Sequence, residues 1–126
     1  MRSRRVLAIG LVAAALFLIG FATLQPTPFS YRAQTVRLGL DLSANHLRED
    51  LLNALLFAPL GFASALIGSS ALRTLCVAVG ISVIIEILQW TVVVGRFAEV
   101  QDVMANALGA MLGWYLAYRA QRLRRH

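Results

Sequence analysis

The sequence has no lysine, a single cysteine and few charged residues, which make up 14% of its 126 positions. Soluble domains carry about 25% charged residues. Here 59% of the residues are hydrophobic and the mean hydropathy is +0.70, so the composition predicts a membrane protein rather than a soluble one. The lone Cys76 excludes an intramolecular disulfide, and its place in an apolar run predicts a small buried side chain.

Motifs for familiar soluble chemistry are also missing. The chain has no nucleophile elbow, phosphate-binding loop, zinc-ligand spacing or nucleic-acid motif. We therefore predict no cofactor, no metal and no nucleic-acid partner. The net charge of +6 comes from arginines that flank apolar segments, a pattern typical of membrane proteins near anionic lipid.

Four apolar segments predict an all-α membrane protein, a four-transmembrane-helix bundle forming one domain over residues 1–126. Each segment approaches the ~20 residues that cross ~30 Å of hydrocarbon. A cleaved signal peptide is the alternative for the first segment, although its apolar run is longer than a signal peptide requires. The predicted spans are residues 6–24, 50–67, 72–94 and 102–118, and residues 25–49 form a polar outer loop.

The arginines predict the orientation of this bundle. With four spans both termini lie on one side, which then holds eight of the twelve arginines. Because positive charge accumulates on the cytoplasmic side, both termini are predicted to be cytoplasmic. The other side holds Arg32, Arg37, Arg48 and Arg96.

Three spans carry polar side chains at helical spacing. The residues of each pair lie three or four positions apart, so they share a helix face. At 1.5 Å per residue, all six reach a common layer near the extracytoplasmic surface. A carboxylate such as Glu86 in a bilayer costs about 2.5 to 3.5 kcal/mol, which argues for a partner or a function. The pairs are Asp50 and Asn53, Glu86 and Gln89, and Asp102 and Asn106.

The fourth span also carries small residues at a spacing of four, at Ala105, Gly109 and Gly113. This pattern lets two helix backbones approach closely in a membrane. We therefore expect tight packing of the fourth span against a neighbour.

In their order and spacing, these residues resemble the VanZ-like family of small bacterial membrane proteins. The resemblance covers about residues 50–113, and the first span and the loop before it are variable in that family. It implies a multi-pass protein of the bacterial plasma membrane acting in the cell envelope. The family's founding member is associated with low-level resistance to teicoplanin, a lipid-bearing glycopeptide antibiotic. The matching residues are Asp50, Asn53, Phe57, Pro59, Gly61, Glu86, Gln89, Gly95, Arg96, Glu99, Asp102, Asn106, Gly109 and Gly113.

The leading hypothesis is an outward-facing site that binds the head group of a membrane lipid or of a lipid-linked envelope precursor. Arg96 is the candidate clamp for an anionic group, because a guanidinium matches phosphate or carboxylate with two parallel bonds. The other candidate substrate-binding residues are Asn53, Gln89 and Asn106. The candidate catalytic carboxylates are Glu86, as acid or base, and Asp50 and Asp102, which would position Arg96 or bind a divalent cation.

Two further interpretations remain open. The protein would be an enzyme that modifies a polyprenyl phosphate or a lipid-linked sugar, or a non-catalytic scaffold of an envelope complex. In the scaffold, hydrogen bonds among Asn53, Gln89 and Asn106 would serve only helix packing. The sequence indicates neither the substrate nor the oligomeric state.

Overall fold

The computed structural model describes residues 2–23, 36–37, 39–40, 42–92 and 98–124. Within these residues the chain forms four long helices and one pair of two-residue strands. The predictions of an all-α class and of four helices are therefore confirmed. The elements are α1 (Arg2–Thr23), β1 (Val36–Arg37), α2 (Ala44–Leu66), α3 (Ala71–Val92), β2 (Ala98–Glu99) and α4 (Val100–Leu123).

Helix α2 packs most extensively against α4, and the two helices run parallel. Gly109 of α4 lies against Ala54 of α2, and Gly113 lies against Ala58, so the residue numbers rise together. A Cβ atom at either glycine would overlap the alanine's backbone carbonyl. The close approach predicted from the small residues is thus present, and α2 contributes a third glycine, Gly61.

Helix α3 runs antiparallel to α4. Ser82 of α3 bonds to Asn106, and Glu86 bonds to Glu99, so the numbers rise in one helix as they fall in the other. The beginnings of α2 and α4 and the last turns of α3 therefore meet at the same end of the bundle. We call this the polar end.

The two short strands lie at the polar end, and β1 falls within residues 25–49, for which the sequence predicts a polar outer loop. β1 pairs in parallel with β2, with Val36 opposite Ala98 and Arg37 opposite Glu99. This pairing holds the backbone that precedes α2 beside the beginning of α4.

Large apolar side chains cover much of the outer surface of the bundle. Phe17 is 73% exposed, Leu108 67% and Ile84 58%. Soluble monomers rarely expose contiguous apolar surface on this scale, whereas lipid would cover it. Cys76 is also exposed, so the prediction that it is buried was wrong; it lies on the outer, apolar side of α3.

Two of the described helices are long and apolar enough to cross a membrane, over Ala44–Leu66 and Ala71–Thr91. The apolar segment of α1, Val6–Phe21, is shorter. Helix α4 is less apolar because polar residues occupy both of its ends. A helical membrane protein is supported, while the crossing of all four helices and the side of the termini remain predictions.

Candidate functional site

The polar end gathers side chains from three helices into one region, which we call the polar cluster. Its members come from the first turns of α2, from one face of α3, and from β2 and the first turns of α4. Direct hydrogen bonds, ion-pair contacts or electrostatic interactions join them. The cluster consists of His46, Asp50, Asn53, Ser82, Glu86, Glu99, Gln101, Asp102 and Asn106.

Amide and carboxylate side chains connect α2 with α4. Gln101 Nε2 of α4 donates a hydrogen bond to Asp50 Oδ2 of α2 at 2.5 Å. In the opposite sense, the Asn53 side chain of α2 interacts favourably with the Asp102 carboxylate of α4. Each helix therefore offers one acid and one amide, and the two contacts cross between the helices at this end.

Glu86 connects α3 with the beginning of α4. Its side chain is buried, with 7% of the residue exposed, and Oε2 accepts a hydrogen bond from the backbone N–H of Glu99 at 2.8 Å. Glu99 is the N-cap residue of α4. A carboxylate at this point interacts favourably with the positive end of the helix dipole, which offsets part of the cost of burying Glu86.

Asn106 lies one turn deeper in the bundle, and only one of its two polar side-chain atoms forms a hydrogen bond within the described residues. Its Nδ2 donates to Ser82 Oγ at 2.7 Å, and both residues are almost completely buried. Its Oδ1 is buried and accepts no hydrogen bond from any residue that the structure describes. A buried acceptor left in this state costs about 1 to 3 kcal/mol, so the amide is suited to a donor that the described residues do not supply.

The described part of the cluster is acidic. Asp102 interacts electrostatically with Glu99, Asp50 and Glu49, all of the same sign. His46 Nδ1 lies 3.7 Å from Glu99 Oε2 and 3.9 Å from Glu49 Oε2, and it forms ion pairs there when protonated. The carboxylates favour a ligand that presents hydroxyl or ammonium donors.

The structure brings most of the predicted site residues together. Asp50, Asn53, Glu86, Asp102 and Asn106 belong to the polar cluster, and Gln89 is buried three positions beyond Glu86 on α3. Arg96 lies outside the described residues. The roles assigned to these side chains stay predictions.

The hydrogen bonds differ from those proposed for a purely architectural cluster. Asn106 bonds to Ser82 rather than to another amide of the predicted set, and Asn53 interacts with the Asp102 carboxylate. In the part of the chain that the structure describes, no three His, Cys, Asp or Glu side chains are arranged to hold a metal ion. The divalent-cation role suggested for Asp50 and Asp102 stays a prediction.

Four cluster members are not among the predicted site residues: Glu99, which was named only as matching the family, and Ser82, His46 and Gln101. Ser82 carries a recognisable signal, because it lies four positions before Glu86 and seven before Gln89 and so continues their helix face. His46 and Gln101 carry no such signal. They join the cluster through partners on other elements, Glu99 for His46 and Asp50 for Gln101.

A model of the VanZ/LLP1 family matches residues 6–121 of the chain. The chain belongs to the VanZ/LLP1 family. The match extends beyond residues 50–113, on which the resemblance was based. Most of α1 and nearly all of α4 therefore belong to the family's domain. No curated protein and no solved structure matches the chain. Membership of the VanZ/LLP1 family, with two apolar helices of membrane-spanning length, indicates a membrane protein.

Proposed function

We propose that this VanZ-like protein spans the bacterial plasma membrane four times, with both termini in the cytoplasm. In this orientation the polar cluster opens to the outside and binds the head group of a lipid-linked molecule of the cell envelope. The arginine distribution supports the orientation. The cluster supports the binding role, because its groups converge on one end of an otherwise apolar bundle.

The observation that carries the binding proposal is the buried Asn106 Oδ1 without a described partner. A sugar hydroxyl or an amine of the head group would donate to it. The carboxylates of Glu86 and Asp102 would accept from further donors of the same head group. A phosphate of the ligand would bind Arg96, the anion clamp proposed from the sequence.

The same site accommodates an enzymatic function. Glu86 is a buried carboxylate beside the proposed ligand, where it would act as acid or base on a polyprenyl phosphate or a lipid-linked sugar. Asp50 and Asp102 would orient the reacting groups. The low-level teicoplanin resistance of the family's founding member is in keeping with either mode of action at the envelope, and we extend it to this chain as part of the proposal.

The double variant Asn106→Leu/Ser82→Ala tests the binding site. It removes the unpaired oxygen and both partners of the buried hydrogen bond, so the melting temperature should stay near that of the wild type. Lipid-linked molecules that co-purify with the protein should fall about tenfold, in line with the loss of one buried hydrogen bond. Mass spectrometry of lipids extracted from the purified protein measures this.

The single variant Ser82→Ala is the matched control. It keeps Asn106 Oδ1 but removes the acceptor of Nδ2, so it should lower the melting temperature and retain the co-purifying lipid. Equal amounts of these lipids in the wild type and the double variant would contradict the proposed site.

Cysteine labelling tests the orientation. In a Cys76→Ala background, Ser43→Cys places a thiol just before α2, and Ser70→Cys places one in the turn between α2 and α3; both serines are exposed. A membrane-impermeant maleimide applied to intact cells should label position 43 only, whereas position 70 should react only after permeabilisation. The reverse pattern would show that the polar cluster faces the cytoplasm.

A further inference from the structure

A cavity of about 430 Å³ lies at the end of the bundle opposite the polar cluster. Leu7 of α1, Phe62 and Leu66 of α2, and Ala117 of α4 form apolar walls, and Gln121 and Arg124 supply its polar groups. Its volume lies within the range of ~300 to 1,000 Å³ usual for small-molecule sites. Nothing in the proposed head-group site uses this cavity.

We propose that this cavity binds one acyl chain of an anionic phospholipid, with the lipid phosphate on Arg124. The apolar walls suit a hydrocarbon chain, and an open apolar cavity in a membrane bundle is accessible to lipid. A guanidinium binds phosphate through two parallel hydrogen bonds. The charge of the surroundings is complementary to such a lipid, since four arginines lie in the last eight residues.

Arg124 is the one charged residue among the described residues that line the cavity, and its neighbours Gln121 and Arg122 are engaged elsewhere. Gln121 Nε2 donates to the backbone carbonyl of Ala65 at 3.1 Å. The Arg122 guanidinium lies 5.2 Å from the centre of the Tyr118 ring, which in turn stacks on Trp114. Arg122 thus packs on an aromatic stack and does not line the cavity.

Native mass spectrometry of the detergent-solubilised full chain tests this site. Phosphatidylglycerol and phosphatidylcholine with identical acyl chains are added in parallel, so the two lipids differ in head-group charge alone. The wild type should prefer phosphatidylglycerol, and Arg124→Gln should weaken its binding about fivefold, the contribution of one arginine near a lipid surface. Arg122→Gln removes the same charge at the same end but not from the cavity lining, so it should weaken binding less than Arg124→Gln does.

A second variant tests the acyl-chain part of the site. Ala120 lines the cavity and is exposed, so Ala120→Trp fills space without disturbing buried packing. It should weaken the binding of both lipids. The proposal fails if Arg122→Gln weakens binding as much as Arg124→Gln, or if Ala120→Trp binds both lipids like the wild type. It fails equally if inorganic phosphate displaces the lipid, since a free phosphate would then be the ligand.

Discussion

Gly109→Ala should destabilise the bundle by about 3 kcal/mol or more, enough to deplete the folded protein in detergent. The added Cβ would overlap the backbone carbonyl of Ala54, and neither helix backbone can move without separating α2 from α4. Overpacking of rigid interiors costs about 1 to 3 kcal/mol and sometimes more. The ~1 kcal/mol that alanine gains over glycine in a helix offsets only part of this cost.

Gly80→Ala is the matched control, because Gly80 lies inside α3 and a Cβ there would meet no atom within 4 Å. This variant should be neutral or more stable by up to about 1 kcal/mol, from helix propensity alone. Monodisperse protein recovered by size-exclusion chromatography after a heating series measures both variants. Similar heat resistance of Gly109→Ala and the wild type would show that α2 and α4 are not in backbone contact.

Glu86→Leu should lower the free energy of unfolding by about 2 to 3 kcal/mol. It removes the charged acceptor of the Glu99 N–H and leaves that donor beside an apolar side chain. Glu86→Gln keeps an oxygen at the same position of the side chain and removes only the charge. Its cost should be about 1 kcal/mol, the difference between a charged and a neutral hydrogen bond.

The pair of Glu86 variants separates chemistry from architecture. If Glu86 transfers a proton, a strain expressing Glu86→Gln should lose the teicoplanin protection proposed for the wild type while the protein's melting temperature stays near normal. In a scaffold, protection should follow melting temperature, so that Glu86→Leu loses it and Glu86→Gln retains it. Glu49→Gln removes an acid from an exposed position near the cluster and should leave both readouts unchanged.

The site was predictable from the sequence wherever its residues share one helix. Glu86 and Gln89, or Asp102 and Asn106, are neighbours through the 3.6-residue period alone, and their polarity in an apolar context marks them. Gln101 and His46 were missed because their partners lie on other elements. A polar residue near the end of a span resembles an ordinary interfacial residue until its partner across the helix pair is known.

The sequence by itself determined the membrane class, the four helices, the polar face on each of three helices and the face of small residues on α4. These features depend on composition and on contacts between residues that are close in sequence, and the 3.6-residue period of a helix makes such contacts predictable. Only the tertiary structure decided that α2 and α4 are in backbone contact, that Asn106 meets Ser82, and that Asn106 Oδ1 has no described partner. Such contacts depend on how each helix is rotated about its axis and on its register against its neighbour. When most of a helix surface is apolar, the sequence does not specify the rotation or the register, and close packing in the folded bundle selects one arrangement.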